Sequence, residues 1–389
     1  MWIALSALLL LVLVGSSLGA YFTFFSKGAP SKTTTPTLVG HAYFVSSGLL
    51  SANQGSNQGI TDQLQISLKN IPPPPQGKGY YAWLLNNRSL DWKPINLGQL
   101  TVNNGIATLS YPGDTSNLLA NNSRFFITLE DVVSPPLNPS QDASALLYYA
   151  EFSQTPNPAD PNKYSLYDHI RHLLSDDPKV KAAGLSGGLD IWLYRNTQKI
   201  LAWAGSARDA QKSGNVAFIR RQLTRILDYL DGTYYISKDL PGTGLLVDPT
   251  IAKIGLLTFD PVNQQPPGYD YHIGKHLREI NSLPGSTSQQ RVLADQINQA
   301  INGVDARFHA IRNDVLQLYH MSDAQLLQSN QARGLLNDVA TLANEAFVGQ
   351  INPQGQVLDG VVQIHYNIQR LATFDVKACT ANSPCPPLV

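Results

Sequence analysis

Two pairs of histidines lie at spacings that place both side chains of each pair on one face of a helix. His169 and His172 are three residues apart, and His272 and His276 are four residues apart. Such side chains are neighbours on a helix, so each pair could offer two imidazoles to one metal ion. Ile273 stands where the zinc-protease pattern His-Glu-x-x-His requires glutamate. We interpret both pairs as surface or packing histidines and keep a transition-metal ion as the alternative cofactor. A joint site would need the two helices to face each other.

Other residues with reactive or recognition chemistry are explained better by packing and turns. His365 lies on an apolar helix stripe, which is typical of a core histidine with one hydrogen bond. Ser186 stands in Gly-Leu-Ser-Gly-Gly, but a nucleophile elbow follows a strand and the flanking pattern here is helical. We therefore assign no catalytic residue. Four aromatic residues could line a ligand-binding face, although we favour a mostly core role: Tyr80, Tyr81, Trp83 and Trp92.

The charge composition excludes one large class of partners. The chain of 389 residues has 28 basic and 28 acidic side chains and no cluster of Lys and Arg. Nucleic-acid-binding proteins normally carry a basic patch, so we expect no nucleic-acid partner. The two cysteines, Cys379 and Cys385, are too few for a structural zinc site with four ligands. We expect them to form a short-loop disulfide rather than two free thiols.

The N-terminal segment predicts a membrane anchor. Residues 2–25 are nearly all apolar, and the first charged side chain is Lys27. About 20 apolar residues suffice to cross a bilayer as a helix. A cleaved signal peptide is the alternative, although the basic start of such a peptide is missing. We therefore expect residues 1–26 to be a single-pass anchor and residues 27–37 a linker, with the bulk of the chain extracytoplasmic.

Residues 38–153 show the sequence pattern of strands. Polar and apolar residues alternate, as in Gln-Leu-Gln-Ile-Ser-Leu at 63–68, and turn signals such as Asn-Asn-Gly at 103–105 separate the runs. Seven short strands with regular turns predict an antiparallel β-sandwich domain. The predicted strands are residues 41–46, 63–68, 80–85, 97–102, 106–111, 125–129 and 146–152.

A second linker at residues 154–163 precedes a change to helical periodicity. Apolar residues recur at steps of three and four, most clearly between Leu293 and Leu318, where Asn302-Gly303 indicates a kink or a break. We expect an α+β multidomain chain whose residues 164–376 form an all-α up-and-down bundle, followed by a tail at 377–389. Residues 233–265 are expected to be a long irregular loop. The other predicted helices are 166–174, 189–212, 219–230, 271–281, 323–347 and 358–374.

Part of the strand region resembles a known family. Gly-Tyr-Tyr-Ala-Trp-Leu-Leu at 79–85, Leu-Gly-Gln-Leu-Thr-Val at 97–102 and Phe-Ile-Thr-Leu-Glu at 126–130 are followed by Pro135, Pro136 and Pro139. This order is similar to the extracytoplasmic domain of RskA-type anti-sigma-K factors. The resemblance implies a sandwich fold far more than a function. Those proteins carry a cytoplasmic sigma-binding domain before the membrane helix, whereas this sequence begins with the apolar segment.

The helical region resembles, more weakly, exported bacterial proteins with imelysin-like bundles. The resemblance is carried by residues 216–232, by Gly-Leu-Leu at 255–257 and by the segment through His276. Relatives of that kind have histidine where this chain has Gln222 and Arg225. A metal role inherited through those two positions is therefore not expected.

Three functional hypotheses follow. The first is a membrane-anchored extracytoplasmic binding or sensing protein without catalytic activity, whose protein or small-molecule partner is unknown. The second is a metal-binding helical bundle that uses His169, His172, His272 and His276. The third is a remnant regulatory protein similar to an anti-sigma factor.

Overall fold

The computed structural model describes residues 36–388, apart from 54, 55, 89, 91 and 135. Strands occupy the first part of this region and helices the second, except for two short strands before the last helix and one strand of six residues after it. The strands are β1 Leu38–Val45, β2 Gln63–Lys69, β3 Lys78–Asn86, β4 Ile95–Gln99, β5 Thr101–Asn103, β6 Ile106–Tyr111, β7 Asn122–Asp131, β8 Leu146–Glu151, β9 Gln350–Ile351, β10 Val357–Leu358 and β11 Thr373–Ala378.

Nine of these strands form one antiparallel sheet in the order β4-β3-β7-β8-β11-β1-β2-β6-β5. Its two edge strands, β4 and β5, are separated in sequence by Leu100 alone. The sheet therefore curls until it nearly closes on itself. β11 lies near its middle, where it pairs with β1 and with β8.

The predicted fold class, a membrane helix followed by a β-sandwich and a separate helical bundle, is wrong. Alternation along a strand shows which face is buried, but it does not show which strands pair. β11 crosses the boundary between the predicted bundle and the predicted tail, and it reaches the middle of the sheet by pairing over a long sequence distance. β3 is buried along nearly its whole length, so its pattern does not alternate as a sandwich strand should.

The helices pack mainly around four long members. The helices are α1 Leu166–Leu174, α2 Pro178–Ala182, α3 Leu189–Lys212, α4 Val216–Asp239, α5 Tyr269–Ser282, α6 Ser288–His320, α7 Asp323–Gln328, α8 Asn330–Val348 and α9 Val361–Leu371. α3 contacts α4 and α8, and α6 contacts the same two helices, so these four form a ring. α6 is continuous through Asn302-Gly303, and α4 extends to Asp239 into the predicted loop.

The sheet and the helices share one apolar core. Phe152 of the connecting segment stacks on Phe374 of β11 and on Tyr167 of α1, with ring centroids 4.2 and 6.1 Å apart. Stacked aromatic rings of this kind contribute more than their buried area alone. The first helix is thereby fixed against the sheet, and its histidines are turned towards the other helices.

The expected membrane anchor is also corrected. Among the residues that the structure describes, no helix combines the length and the apolar character needed to cross a bilayer. The segment 2–25, on which that prediction was based, lies outside the described residues. The single-pass topology, the membrane partner and the extracytoplasmic location therefore have no support in the structure.

Candidate metal centre

Four buried histidines converge where α1 and α5 face each other beside α2. His276 lies at the centre of the group. Its ring centroid is 4.9 Å from that of His169, 5.1 Å from that of His172 and 5.0 Å from that of His272. All four side chains are less than a tenth exposed. The two pairs predicted from spacing thus form one cluster.

The start of α1 is fixed by a capping box. The Ser165 side chain accepts a hydrogen bond from the backbone N–H of Asp168, whose carboxylate accepts one from the backbone N–H of Ser165. Reciprocal caps satisfy N–H groups that a helix start leaves unpaired. His169 and His172 follow within the next two turns, so this cap sets their position.

The start of α5 is held by an irregularity in α4. Gly232 has a φ of 62°, and a Cβ there would stand 2.6 Å from the backbone nitrogen of Gly255, so the close approach requires glycine. The backbone N–H of Leu256 then donates to the carbonyl of Tyr229, and the N–H of Tyr269 donates to the carbonyl of Gly255. These contacts place the helix that carries His272 and His276.

Asp177 supplies a carboxylate to one side of the cluster. Its Oδ1 accepts hydrogen bonds from the backbone N–H groups of Lys179 and Val180, at 2.9 and 3.0 Å. Its Oδ2 lies 3.6 Å from Nε2 of His272 and 3.8 Å from Nε2 of His276. One oxygen therefore holds the side chain on α2 while the other faces the imidazoles.

Glu279 supplies a second carboxylate on the opposite side of His276. Its Oε2 lies 3.5 Å from Nδ1 of His169, and that nitrogen is 2.7 Å from Nδ1 of His276. The Glu279 side chain is a quarter exposed and pairs with Lys275 at 3.8 Å. This side of the cluster is thus nearer to solvent than the Asp177 side.

Several ring nitrogens of the cluster are buried without a hydrogen-bond partner among the described residues. A buried polar atom left unpaired costs about 1–3 kcal/mol, so four in one place need a reason. A metal ion that takes up Nε2 of His276, the unpaired nitrogen that faces Asp177, would remove that cost at the centre of the cluster. The atoms are Nε2 of His169, Nδ1 of His172, Nδ1 of His272 and Nε2 of His276.

Burial lowers the pKa of all four histidines. The pKa of His169 falls to about 4 and that of His272 to about 3. The pKa of His172 is lowered by burial, and the pKa of His276 falls well below its ordinary value through burial and the neighbouring imidazoles. The rings are therefore neutral at physiological pH, which is the form that binds metal ions.

Carboxylates surround the neutral rings. Asp160 and Asp168 favour positive charge at His169, and Asp177 does so at His172 and His272, whereas Lys275 opposes it at His169. A divalent cation would experience the same attraction, since a bound ion is the largest charge in such a site. The geometry gives two ligand sets, each with atoms within 4.8 Å of one another: His172, Asp177 and His276, and His169, His276 and Glu279.

Asp177 and Glu279 were not predicted as site residues. Glu279 stands three residues after His276 on the same helix face, so its spacing could have indicated it. Asp177 precedes Pro178, which is a typical helix start, and that signal points to capping rather than to metal binding. Its second oxygen reaches the histidines only because α2 packs beside α5.

The four predicted aromatic residues are not brought together into one exposed face. Tyr80 lies in the main core, whereas Tyr81 and Trp83 lie in a smaller core, with partly buried Trp92 packed against it. The Trp83 indole N–H donates to Oγ1 of Thr128 at 2.8 Å. Their ligand-binding role stays a prediction that the packing does not favour.

The remaining predicted residues are accounted for by local structure. Cys379 and Cys385 are joined in a disulfide. His365 is buried, and both of its ring nitrogens have partners, in Asp190 and Gln369. Ser186 follows α2 rather than a strand, so the nucleophile-elbow geometry is absent there.

Comparison of the chain with protein-family models, with curated proteins and with solved structures found no match in any of the three. The resemblances to anti-sigma-K factors and to imelysin-like bundles therefore stay predictions.

Proposed function

We propose that this protein binds a divalent transition-metal ion at a buried site formed by His172, His276 and Asp177, to which His272 would move as the fourth ligand. The observation that carries the proposal is the position of Oδ2 of Asp177, which faces two buried imidazole nitrogens at 3.6 and 3.8 Å. Tetrahedral zinc, with bonds of about 2.0–2.1 Å, places its ligand atoms about 3.3 Å apart. Side-chain shifts of less than about 1 Å would bring these atoms to that spacing.

The donor set favours zinc and its neighbours over calcium or magnesium. Three imidazoles and one carboxylate suit Zn²⁺, Co²⁺, Ni²⁺ or Cu²⁺, whereas hard cations prefer a shell of oxygen ligands. The backbone hydrogen bonds to Oδ1 of Asp177 hold the carboxylate for the ion, which is the usual second shell of a metal ligand.

The binding or sensing hypothesis also stays a prediction. Among the described residues, imidazole and carboxylate side chains converge, and these groups are ligands for a metal ion. We propose binding alone, because no group beside the cluster has been assigned a catalytic role.

Titration of the metal-free protein with Zn²⁺ by calorimetry, and with Co²⁺ by visible absorption, tests the proposal. We expect saturable binding and, at 100 times the dissociation constant, about 2.7 kcal/mol of added stability. His172→Ala should weaken binding at least tenfold. His320→Ala is the matched control, because His320 is an exposed histidine at the end of α6. Equal affinity in both variants, or no saturable binding by the wild type, would contradict the proposal.

A further inference from the structure

A second set of ligands lies on the far side of His276 from Asp177. Nδ1 of His276 is 2.7 Å from Nδ1 of His169, which is 3.5 Å from Oε2 of Glu279. The other ring nitrogen of His276, Nε2, is the one that faces Asp177, at 3.8 Å. One nitrogen of this imidazole thus faces the carboxylate of Asp177, and the other faces the ring nitrogen of His169 that lies beside Glu279.

We propose that a second divalent ion binds to His169, His276 and Glu279, so that the imidazole of His276 bridges two metal ions. This inference rests on the proposed function, since Nε2 of His276 is a ligand of the first ion. Nδ1 is then the ligand of the second.

The ligand sets give the two ions different coordination. The first ion has four protein ligands in His172, His272, His276 and Asp177, which closes a tetrahedral shell. The second ion has three, and three protein ligands leave a position for water or another small ligand. Because Glu279 is a quarter exposed and His272 is less than a tenth exposed, the open position belongs to the ion nearer the surface.

The charges around the cluster can accommodate two cations. Asp177 and Glu279 each bring one negative charge to a metal ion, and the bridging ring of His276 brings a third once it loses its N–H proton. Asp160 and Asp168 add two carboxylates whose field already reaches His169. Two divalent ions are thus opposed by five negative charges, with Lys275 as a nearby cation.

The bridge has a defined proton balance. When the first ion occupies Nε2 of neutral His276, the remaining proton of that ring is on Nδ1, where it can be donated to Nδ1 of His169. The second ion takes the place of this proton between the two rings. One proton therefore leaves the protein for each second ion that binds.

Metal content after saturation with Zn²⁺ and removal of excess distinguishes the outcomes. We expect two ions per wild-type chain and one per chain in Glu279→Gln. Glu345→Gln is the matched control and should retain two, because Glu345 is 24% exposed against 25% for Glu279 and lies on another helix. One ion in the wild type, unchanged in Glu279→Gln, overturns the second ion while leaving the proposed function intact. No bound ion overturns both.

A measurement on the wild type alone covers the case in which Glu279→Gln does not fold. Two Co²⁺ ions joined by one imidazole are magnetically coupled, so the electron paramagnetic resonance signal per ion should fall as the second equivalent binds. A signal that doubles with the second equivalent shows two separate ions and overturns the bridge.

Discussion

His365 and His276 are both buried histidines on helices, 7% and 3% exposed, but their ring nitrogens have different surroundings. Nδ1 of His365 is 2.5 Å from Oδ2 of Asp190, and its Nε2 is 2.9 Å from Nε2 of Gln369. Nε2 of His276 has no hydrogen-bond partner in the part of the chain that the structure describes. Burial alone therefore does not indicate a metal ligand. The proposed metal ligand differs in having a ring nitrogen that is unpaired among the described residues and lies near a carboxylate, at nearly ligand distance.

The largest predicted loss of stability follows from substituting His365, the histidine whose two ring nitrogens both have partners. His365→Ala leaves the Asp190 carboxylate buried without its partner, and removing one member of a buried pair costs about 3–5 kcal/mol. His272→Ala should cost less, about 1–2 kcal/mol, because Nδ1 of its ring has no hydrogen-bond partner among the described residues and Nε2 is 3.6 Å from Asp177, beyond hydrogen-bond distance. Urea unfolding of the metal-free proteins measures both. Equal losses of stability in His365→Ala and His272→Ala would contradict the difference between the two environments.

A second prediction concerns pH. The native pKa of His169 is about 4, below the ordinary 6.5 that the unfolded chain shows. Between these values the unfolded state binds more protons, so the contribution of the His169 ring to the stability of the metal-free protein rises with pH and is fully present above about 6.5. His169→Ala should reduce this slope by about 1 kcal/mol per pH unit between pH 4.5 and 6.

The wild type alone is not a sufficient test of that slope. Asp231, whose pKa is raised to about 8 by burial, contributes with the opposite sign, since its native state holds a proton that the unfolded state loses. The difference between His169→Ala and the wild type isolates the histidine. Parallel pH profiles for the two proteins would contradict the neutral, buried state of the His169 ring.

The smallest predicted effect comes from removing the cap at the start of α1. Ser165→Ala removes the side chain that accepts from Asp168, at a cost of about 1 kcal/mol. Because α1 carries two of the histidines, metal affinity should fall as well, by about threefold to tenfold. Ser322→Ala is the matched control, as it breaks a capping box on α7 and should lower stability alone. Equal metal affinities in the two variants would show that the cap of α1 does not affect metal binding.

The local structure of this chain was far more predictable than its assembly. α1 and α3 begin and end at the residues that periodicity indicated, 166–174 and 189–212. Helix periodicity and caps depend on neighbours in the sequence, so they can be recognised there. The pairing of β11 with β1 and β8 depends on residues more than 200 positions apart, and no local pattern encodes it.

The candidate site shows the same division. The spacing of each histidine pair identified which rings share a helix face, but the approach of α1 to α5 was not visible in the sequence. Asp177 has the sequence signature of a helix cap and was overlooked, because only the fold turns its second oxygen towards His272. The sequence could not distinguish packing histidines from metal ligands. That distinction depends on the ring nitrogens that have no hydrogen-bond partner among the described residues.

The position of β11 has a consequence for how the protein is made. Every α-helix of the described region is translated after β8 and before β11. On the ribosome, β1 and β8 each present an unpaired edge until residues 373–378 emerge. Exposed strand edges are templates for aggregation, so nascent chains of this protein depend on protection for most of their synthesis. A fragment that ends after β8 would lack β11 and would leave that gap in the sheet permanently open.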